Sequence, residues 1–149
     1  MLDIILVEDN RADVELTLEA LGENNLANRV KVLRDGEEAV DYIFRTGRYK
    51  DCGICENPKL ILLDINLPKI DGLEILRRIR SDEHTKKIQV AILTSSLDDN
   101  DRIESYKLGV TKYIVKPTGF DNFARECITM SLEAIARSEA LTRTNWGSR

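Results

Sequence analysis

The sequence lacks several features that would assign it to a particular class of protein. Its three cysteines in 149 residues are an odd number, which argues against a disulfide framework and favours the cytoplasm. Lys and Arg number 22 against 26 Asp and Glu, for a net charge of -4, and this lack of a basic surplus argues against nucleic acid as a partner. No apolar run approaches the roughly 20 residues of a membrane-spanning helix, and no signal peptide precedes the first apolar run. We expect a soluble cytoplasmic protein that binds neither nucleic acid nor membrane.

What the sequence does contain is a regular alternation of short apolar runs and longer amphipathic stretches. The runs are three to five residues long, as is typical of strands buried on both faces of a sheet. The predicted strands are 4–7, 29–33, 60–63, 90–93 and 113–115. The predicted helices cover about 10–21, 36–44, 72–79, 98–108 and 120–137. This order predicts one α/β domain over residues 1–137, with five helices on both faces of a five-stranded parallel sheet, followed by a C-terminal tail at 138–149.

Charged and hydroxyl side chains end four of these strands. Glu8 and Asp9 follow the first strand, Asp64 the third, Thr94 the fourth and Lys116 the fifth. Because ligands bind at the carboxyl ends of strands in an open parallel sheet, we expect these groups to meet at one edge. Three acids repel one another unless a hard divalent cation lies among them, and Mg²⁺ prefers such oxygen ligands. A carboxylate there could act as a nucleophile toward phosphorus, with cationic and hydroxyl groups binding the phosphoryl oxygens.

Simpler interpretations exist for several of these residues. Glu8 and Asp9 could do no more than favour the amino end of the first helix, and Tyr113 could be an ordinary strand aromatic. Cys52 and Cys55 have the spacing of a zinc or redox motif. A zinc site needs two more ligands that the neighbouring sequence does not supply, so we interpret these two cysteines as unpaired loop thiols.

Four stretches of the sequence resemble the receiver domain of two-component response regulators. They are Ile-Leu-Val-Glu-Asp-Asn (5–10), Leu-Leu-Asp-Ile-Asn-Leu-Pro-Lys-Ile-Asp-Gly (62–72), Ile-Leu-Thr-Ser (92–95) and Tyr-Ile-Val-Lys-Pro (113–117). Each is weak alone, but all four in order at strand ends form a specific signal. The resemblance spans about Asp3 to Arg137 and implies a flavodoxin-like, doubly wound fold that receives a phosphoryl group from a sensor histidine kinase.

The resemblance also implies a role for each matched residue at the acid cluster. Asp64 would be the phospho-acceptor. Glu8 and Asp9 would bind Mg²⁺ together with Asp64 and the main-chain carbonyl of Asn66. Lys116 would contact the phosphoryl group, ahead of a cis peptide bond to the proline that follows it. Many receivers have two aspartates where this chain has Glu8-Asp9, a common variant that keeps metal binding in place.

Further from the acids, the resemblance implies that Thr94 and Tyr113 form a switch pair. The stretches 46–49, 57–64 and 66–69, with the long connection between the second helix and the third strand, look like the single-domain regulators of phytochrome-type histidine kinases. The chain ends soon after the fifth predicted helix, so we expect output through protein contacts of the receiver itself.

A homodimer is one such contact that the sequence suggests. The fifth predicted helix has two apolar stripes, more than one core-facing side needs. The first is Phe120, Phe123, Ala124 and Cys127, and the second is Ile128, Leu132 and Ile135. We expect the second stripe to form a dimer face with the fourth helix and fifth strand, as receivers commonly do.

Two other functions fit these residues less well. An aspartyl-nucleophile phosphohydrolase of similar topology usually has a second acid two residues after the nucleophile, as a general acid–base. This chain has Asn66 at that position, so we expect no enzyme of that kind. A scaffold that works without phosphorylation would not need the acids, the lysine and the hydroxyl, all of which are present.

Overall fold

The computed structural model describes residues 3–22, 25–26, 29–51, 57–116 and 125–137. In these ranges short strands alternate with helices, as the sequence predicts. The strands are β1 (Ile4–Val7), β2 (Val30–Leu33), β3 (Leu60–Leu63), β4 (Val90–Thr94) and β5 (Lys112–Val115). The helices are α1 (Arg11–Gly22), α2 (Gly36–Phe44), α3 (Gly72–Ser81), α4 (Asp99–Lys107) and α5 (residues 125–137). Three predictions fall outside the described residues. They concern the tail at 138–149, the pair Cys52 and Cys55, and the peptide bond from Lys116 to Pro117, of which only Lys116 is described.

All neighbouring strands are parallel, and their order across the sheet is β2-β1-β3-β4-β5. The chain therefore winds first to one side of β1 and then to the other, which makes the boundary between β1 and β3 the switch point of the sheet. In the register, Val7 lies opposite Leu63, and Thr94 lies opposite Val115. The residues that follow β1, β3 and β5 consequently emerge at the same edge as the end of β4. The predicted doubly wound fold is confirmed.

The core lies on both faces of the sheet. β1, β3 and β4 are buried along their whole length, because helices cover both sides of them. Alternate residues of these strands pack against α1 and α5 on one face, and the others pack against α2 and α3 on the second face. This two-sided burial is the reason for the near-continuous apolar runs of the sequence. β2 and β5, at the two edges, are only partly buried.

The apolar pattern of α5 differs in part from the prediction. Cys127 is buried as expected, but Ile135 is also buried, with 7% of its surface exposed, and packs in the same cluster. Ile135 lies eight residues after Cys127, which returns it to the same side of a helix. Leu132 is 45% exposed, so it remains on the outer side. Phe120, Phe123 and Ala124 lie outside the described residues.

One arginine holds the far end of α4 in place. Arg80, near the end of α3, donates from Nε to the carbonyl of Leu108 at 2.6 Å and from Nη2 to that of Gly109 at 3.2 Å. Its Nη1 donates to the carbonyls of Ile88 at 2.7 Å and Lys86 at 3.1 Å. A single guanidinium thus satisfies carbonyls after α4 and before β4, and burial lowers its pKa from the ordinary arginine value.

Candidate functional site

Three acids meet at the switch point of the sheet. Glu8 and Asp64 follow the paired strands β1 and β3 and are 3% and 6% exposed, whereas Asp9 is exposed. One carboxylate oxygen from each of the three lies within 4.8 Å of the others. Such a set of hard oxygen donors fits a divalent cation of the Mg²⁺ or Mn²⁺ kind. The structure therefore brings together the acids that the sequence predicts as metal ligands.

Asp64 is positioned by the tight connection between β3 and α3. Its Oδ1 accepts a hydrogen bond from the amide of Asn66 at 3.1 Å, and the amide of Gly72 donates to the carbonyl of Ile65 at 2.8 Å. A Cβ atom on Gly72 would lie 2.1 Å from the carbonyl oxygen of Asp64. Only glycine therefore allows this close approach. Gly72 lies in the motif at 62–72, but this role of the residue was not predicted from the sequence. The predicted role of the Asn66 carbonyl stays a prediction.

Lys116 reaches into the acids from the end of β5. Its Nζ lies 2.5 Å from Oε1 of Glu8, 2.8 Å from Oδ2 of Asp13 and 3.4 Å from Oδ2 of Asp64. The lysine side chain is 10% exposed, so these contacts lie largely away from water. Asp13 is not among the residues predicted from the sequence. The signal that could have found it is its place in the first turn of α1, three residues after the capping Asn10 and so close to the acids that precede the helix.

Burial and charge act on this cluster in opposite directions. Burial raises the pKa of Glu8 from 4.5 to about 7, because desolvation outweighs the hydrogen bond from Lys116. Burial alone would lower the pKa of Lys116, but the hydrogen bonds to Asp13 and Glu8 outweigh it and raise that pKa above the ordinary lysine value. Lys116 is therefore positively charged at neutral pH. Glu8 titrates near neutrality as long as no metal cation or other additional positive charge lies beside it.

The hydroxyl groups of the predicted switch pair lie near the end of β4 and on β5. Thr94 is fully buried, and its Oγ1 accepts from the amide of Ser96 at 3.2 Å. The Ser96 hydroxyl donates to Oδ2 of Asp101 in α4 at 2.7 Å. The hydroxyl of Tyr113 is buried and has no hydrogen-bond partner among the described residues. The loop after Thr94 is thus connected directly to the first turn of α4.

Two further observations concern only the part of the chain that the structure describes. In that part, no helix combines the length and the apolar character needed to cross a membrane. The one cysteine described there, Cys127, is a buried free thiol, and burial raises its pKa to about 12. Such a thiol is a packing residue rather than a reactive one.

A doubly wound parallel sheet with three acids and a lysine at its switch point, and a buried hydroxyl at the end of the neighbouring strand, fits a protein that binds a divalent cation and handles a phosphoryl group. The chain belongs to the response regulator receiver family, because the family model described as "Response regulator receiver domain" matches residues 4–127. It is therefore a regulator of two-component signalling and not an enzyme, as the sequence predicts.

Two relatives that are matched along most of their length support this membership. The probable methanogenesis regulatory protein FilR2 of Methanothrix harundinacea is 38% identical over 122 residues, which are 82% of this chain and 76% of FilR2. The response regulator Rcp1 of Synechocystis sp. is 36% identical over 137 residues, which are 85% of this chain and 91% of Rcp1.

Solved structures of similar proteins have the same fold. The phosphorylated cyanobacterial phytochrome response regulator RcpA is 40% identical, with a TM-score of 0.75 over 85% of this chain and 89% of RcpA. The Mn²⁺-bound form of Rcp1 is 36% identical, also with a TM-score of 0.75, over 85% of this chain and 89% of that one. Chains similar to this one have thus been crystallised with a phosphoryl group and with a divalent cation.

Proposed function

We propose that this response regulator accepts a phosphoryl group on Asp64 from a sensor histidine kinase, with Mg²⁺ bound beside the acceptor. The observation that carries the proposal is the meeting of Glu8, Asp9 and Asp64 with the Lys116 ammonium group at the switch point of the sheet. The proposed unit is the receiver at 1–137, with a tail at 138–149, acting in the cytoplasm.

The proposed metal ligands are Glu8, Asp9, Asp64 and the main-chain carbonyl of Asn66. The three carboxylate oxygens within 4.8 Å support this set, as does the Mn²⁺-bound form of the similar protein Rcp1. When bound, Mg²⁺ would neutralise the acids and one phosphoryl oxygen. Mg²⁺ rather than another cation is favoured because it keeps coordination sites open for water and phosphate.

In the proposed transfer, an oxygen of Asp64 attacks the phosphorus atom of a phosphohistidine on the kinase. The new bond joins phosphorus to the aspartate oxygen, the phosphorus–nitrogen bond breaks, and the histidine leaves with the electron pair. Lys116 donates to one phosphoryl oxygen and the Thr94 hydroxyl to another, which neutralises the developing charge. The 3.4 Å between Lys116 Nζ and Asp64 Oδ2 supports the first of these contacts.

The proposed switch begins at Thr94 and ends at Tyr113. When the Thr94 hydroxyl turns toward a phosphoryl oxygen, its Oγ1 gives up the amide of Ser96, and the loop that leads to α4 is released. The Tyr113 hydroxyl is buried beside the Ser96 side chain, so a shift of this loop also changes the surroundings of the Tyr113 ring. This pair would pass the state of Asp64 to the surface.

The proposed donor is a kinase of the phytochrome type. The similarity to RcpA, a regulator named for a cyanobacterial phytochrome, supports this choice. The proposed function involves neither a nucleic acid nor a membrane.

Intact-mass measurement with a small phosphodonor tests phosphoryl transfer to Asp64. We expect the wild-type chain to gain one phosphoryl group in Mg²⁺, and we expect none for Asp64→Asn or in excess chelator. Asp9→Asn should be labelled much more weakly, because one metal ligand is lost. Equal labelling in chelator, or in Asp64→Asn, would contradict the proposed site.

We also propose that phosphorylation favours a homodimer through α4, β5 and α5. Large apolar side chains are exposed on this face, namely Ile103 at 52%, Tyr106 at 48% and Leu132 at 45%. An ion pair at 3.1 Å between the part-exposed side chains of Lys112 and Glu126 joins β5 to α5. An exposed apolar surface of this kind is typical of a protein contact.

Sedimentation of the wild type and Leu132→Glu, each with and without phosphodonor, tests the dimer. We expect phosphorylation to shift the wild type toward a dimer and to leave the variant monomeric, because a buried charge opposes association. If both proteins stay monomeric at tens of micromolar, about the range in which a weak dimer should form, the dimer proposal is wrong.

A further inference from the structure

Asp13 belongs to the acid cluster, although none of the proposed roles uses it. Its Oδ2 lies 2.8 Å from Lys116 Nζ, in the first turn of α1. An acidic side chain at this helix position often accepts a hydrogen bond from the main-chain amide of the capping residue. Here the amide of the capping residue, Asn10, donates to another carboxylate. Asn10 Oδ1 accepts from the amide of Asp13 at 3.0 Å, and the amide of Asn10 donates to Oε2 of Glu8 at 3.2 Å. The Asp13 carboxylate is therefore left to contact the lysine.

The ammonium group of Lys116 has three N–H donors, and three carboxylates surround it. Glu8 at 2.5 Å and Asp13 at 2.8 Å are closer than Asp64 at 3.4 Å. The lysine is thus held mainly by the two carboxylates that do not accept the phosphoryl group in the proposed reaction. Asp13 and Asp64 share one cation, so a stronger contact to one weakens the contact to the other.

The two closer partners of Lys116 differ in their access to water. The side chain of Asp13 is 33% exposed, against 4% for Glu8. Water can replace the lysine at Asp13, whereas Glu8 would be left buried and unpaired. When Lys116 binds a new oxygen at Asp64, the contact with Asp13 is therefore the one whose loss costs the least free energy.

We propose that Asp13 is a positioning residue that competes with the group on Asp64 for the Lys116 ammonium, so that Lys116 exchanges Asp13 for a phosphoryl oxygen. This inference rests on the proposed function, because it concerns the phosphoryl group on Asp64. Asp13 then sets how readily the phosphorylated arrangement forms, without touching the phosphoryl group itself.

Beryllofluoride, a stable mimic of the phosphoryl group, provides the test in excess Mg²⁺. Its dissociation constant is measured by titration with fluorine-19 NMR. We expect Asp13→Asn to bind it about three- to fivefold more tightly than the wild type, the size typical of one part-exposed charged contact. Glu15→Gln removes the same charge from an exposed position on the same helix, where Glu15 pairs with Arg11 at 3.4 Å, and should match the wild type.

A double-mutant cycle separates positioning through Lys116 from a general effect of charge. In a Lys116→Met background, Asp13→Asn should change the beryllofluoride affinity less than twofold. An equal gain in both backgrounds, or no gain in the wild-type background, would overturn the inference. A wild-type chain that binds no beryllofluoride would overturn the proposed function, and the inference with it.

If the Lys116→Met variants do not fold, the nitrogen-15 signal of the Lys116 ammonium group answers the same question. We expect this signal to shift in ligand-free Asp13→Asn and to stay in place in Glu15→Gln, because only the first change removes a hydrogen-bond partner. An unchanged signal in Asp13→Asn would show that Asp13 does not position the lysine.

Discussion

The raised pKa of Glu8 makes the stability of the metal-free protein depend on pH in a definite direction. Between pH 4.5 and about 7 the folded state holds a proton on Glu8 that the unfolded state has lost, so the stability from this residue falls as pH rises through this range. The full shift corresponds to about 3 kcal/mol, at 1.36 kcal/mol per pKa unit. Glu8→Gln keeps the shape of the protonated side chain and cannot ionise.

We therefore expect the stability of Glu8→Gln relative to the wild type to increase by about 2–3 kcal/mol between pH 5 and pH 8 in excess chelator. For a chain of this size, the difference in Tm should widen by roughly 5–10 °C. Urea unfolding at several pH values measures the change directly, and Glu15→Gln, an exposed acid on the same helix, should follow the wild type. A stability difference for Glu8→Gln that stays constant to within about 0.5 kcal/mol from pH 5 to pH 8 would refute the reasoning.

Two further substitutions test how the fold supports the site. Gly72→Ala places a methyl group against the Asp64 carbonyl, and we expect a loss of about 1–3 kcal/mol in urea unfolding together with slower phosphorylation, because the acceptor loop must shift; unchanged stability would contradict this. Arg80→Met removes the donor to four carbonyls, and we expect a loss of about 2–3 kcal/mol. Arg78→Met, an exposed position on the same helix, should change stability by less than about 0.5 kcal/mol; similar losses for both would argue against the arginine contacts.

The fold and most of the acid cluster could be predicted because each depends on a local pattern. A strand covered on both faces needs apolar residues at consecutive positions, and β1 and β3 show them as Ile4–Val7 and Leu60–Leu63. The polar residues directly after such strands lie at the edge of the sheet where the strands end. Glu8, Asp64 and Lys116 follow that rule, so their meeting required no knowledge of side-chain geometry.

Other contacts could not be predicted because they depend on how distant elements are placed. The contact between Asp13 and Lys116 joins residues 103 positions apart and requires the rotation of α1 relative to β5. Ile135 packs in the same cluster as Cys127, which depends on which side of α5 faces the sheet, and the two apolar stripes left that side open. Arg80 is one of three arginines on α3, and its four carbonyl partners depend on how the end of α4 and the segment before β4 are placed beside that helix.

The anchoring of α4 by Arg80 makes this helix a lever. Its nine residues span roughly 12 Å, with the carboxyl end fixed to the body of the domain and the amino end connected to Thr94 through Ser96 and Asp101. In the proposed switch, a rotation that begins at Thr94 would turn α4 about its carboxyl end beside Leu108 and displace its amino end most. Leu97, which is 83% exposed just before the helix, would move with that end, so we expect a partner that senses the state of the site to contact the protein there.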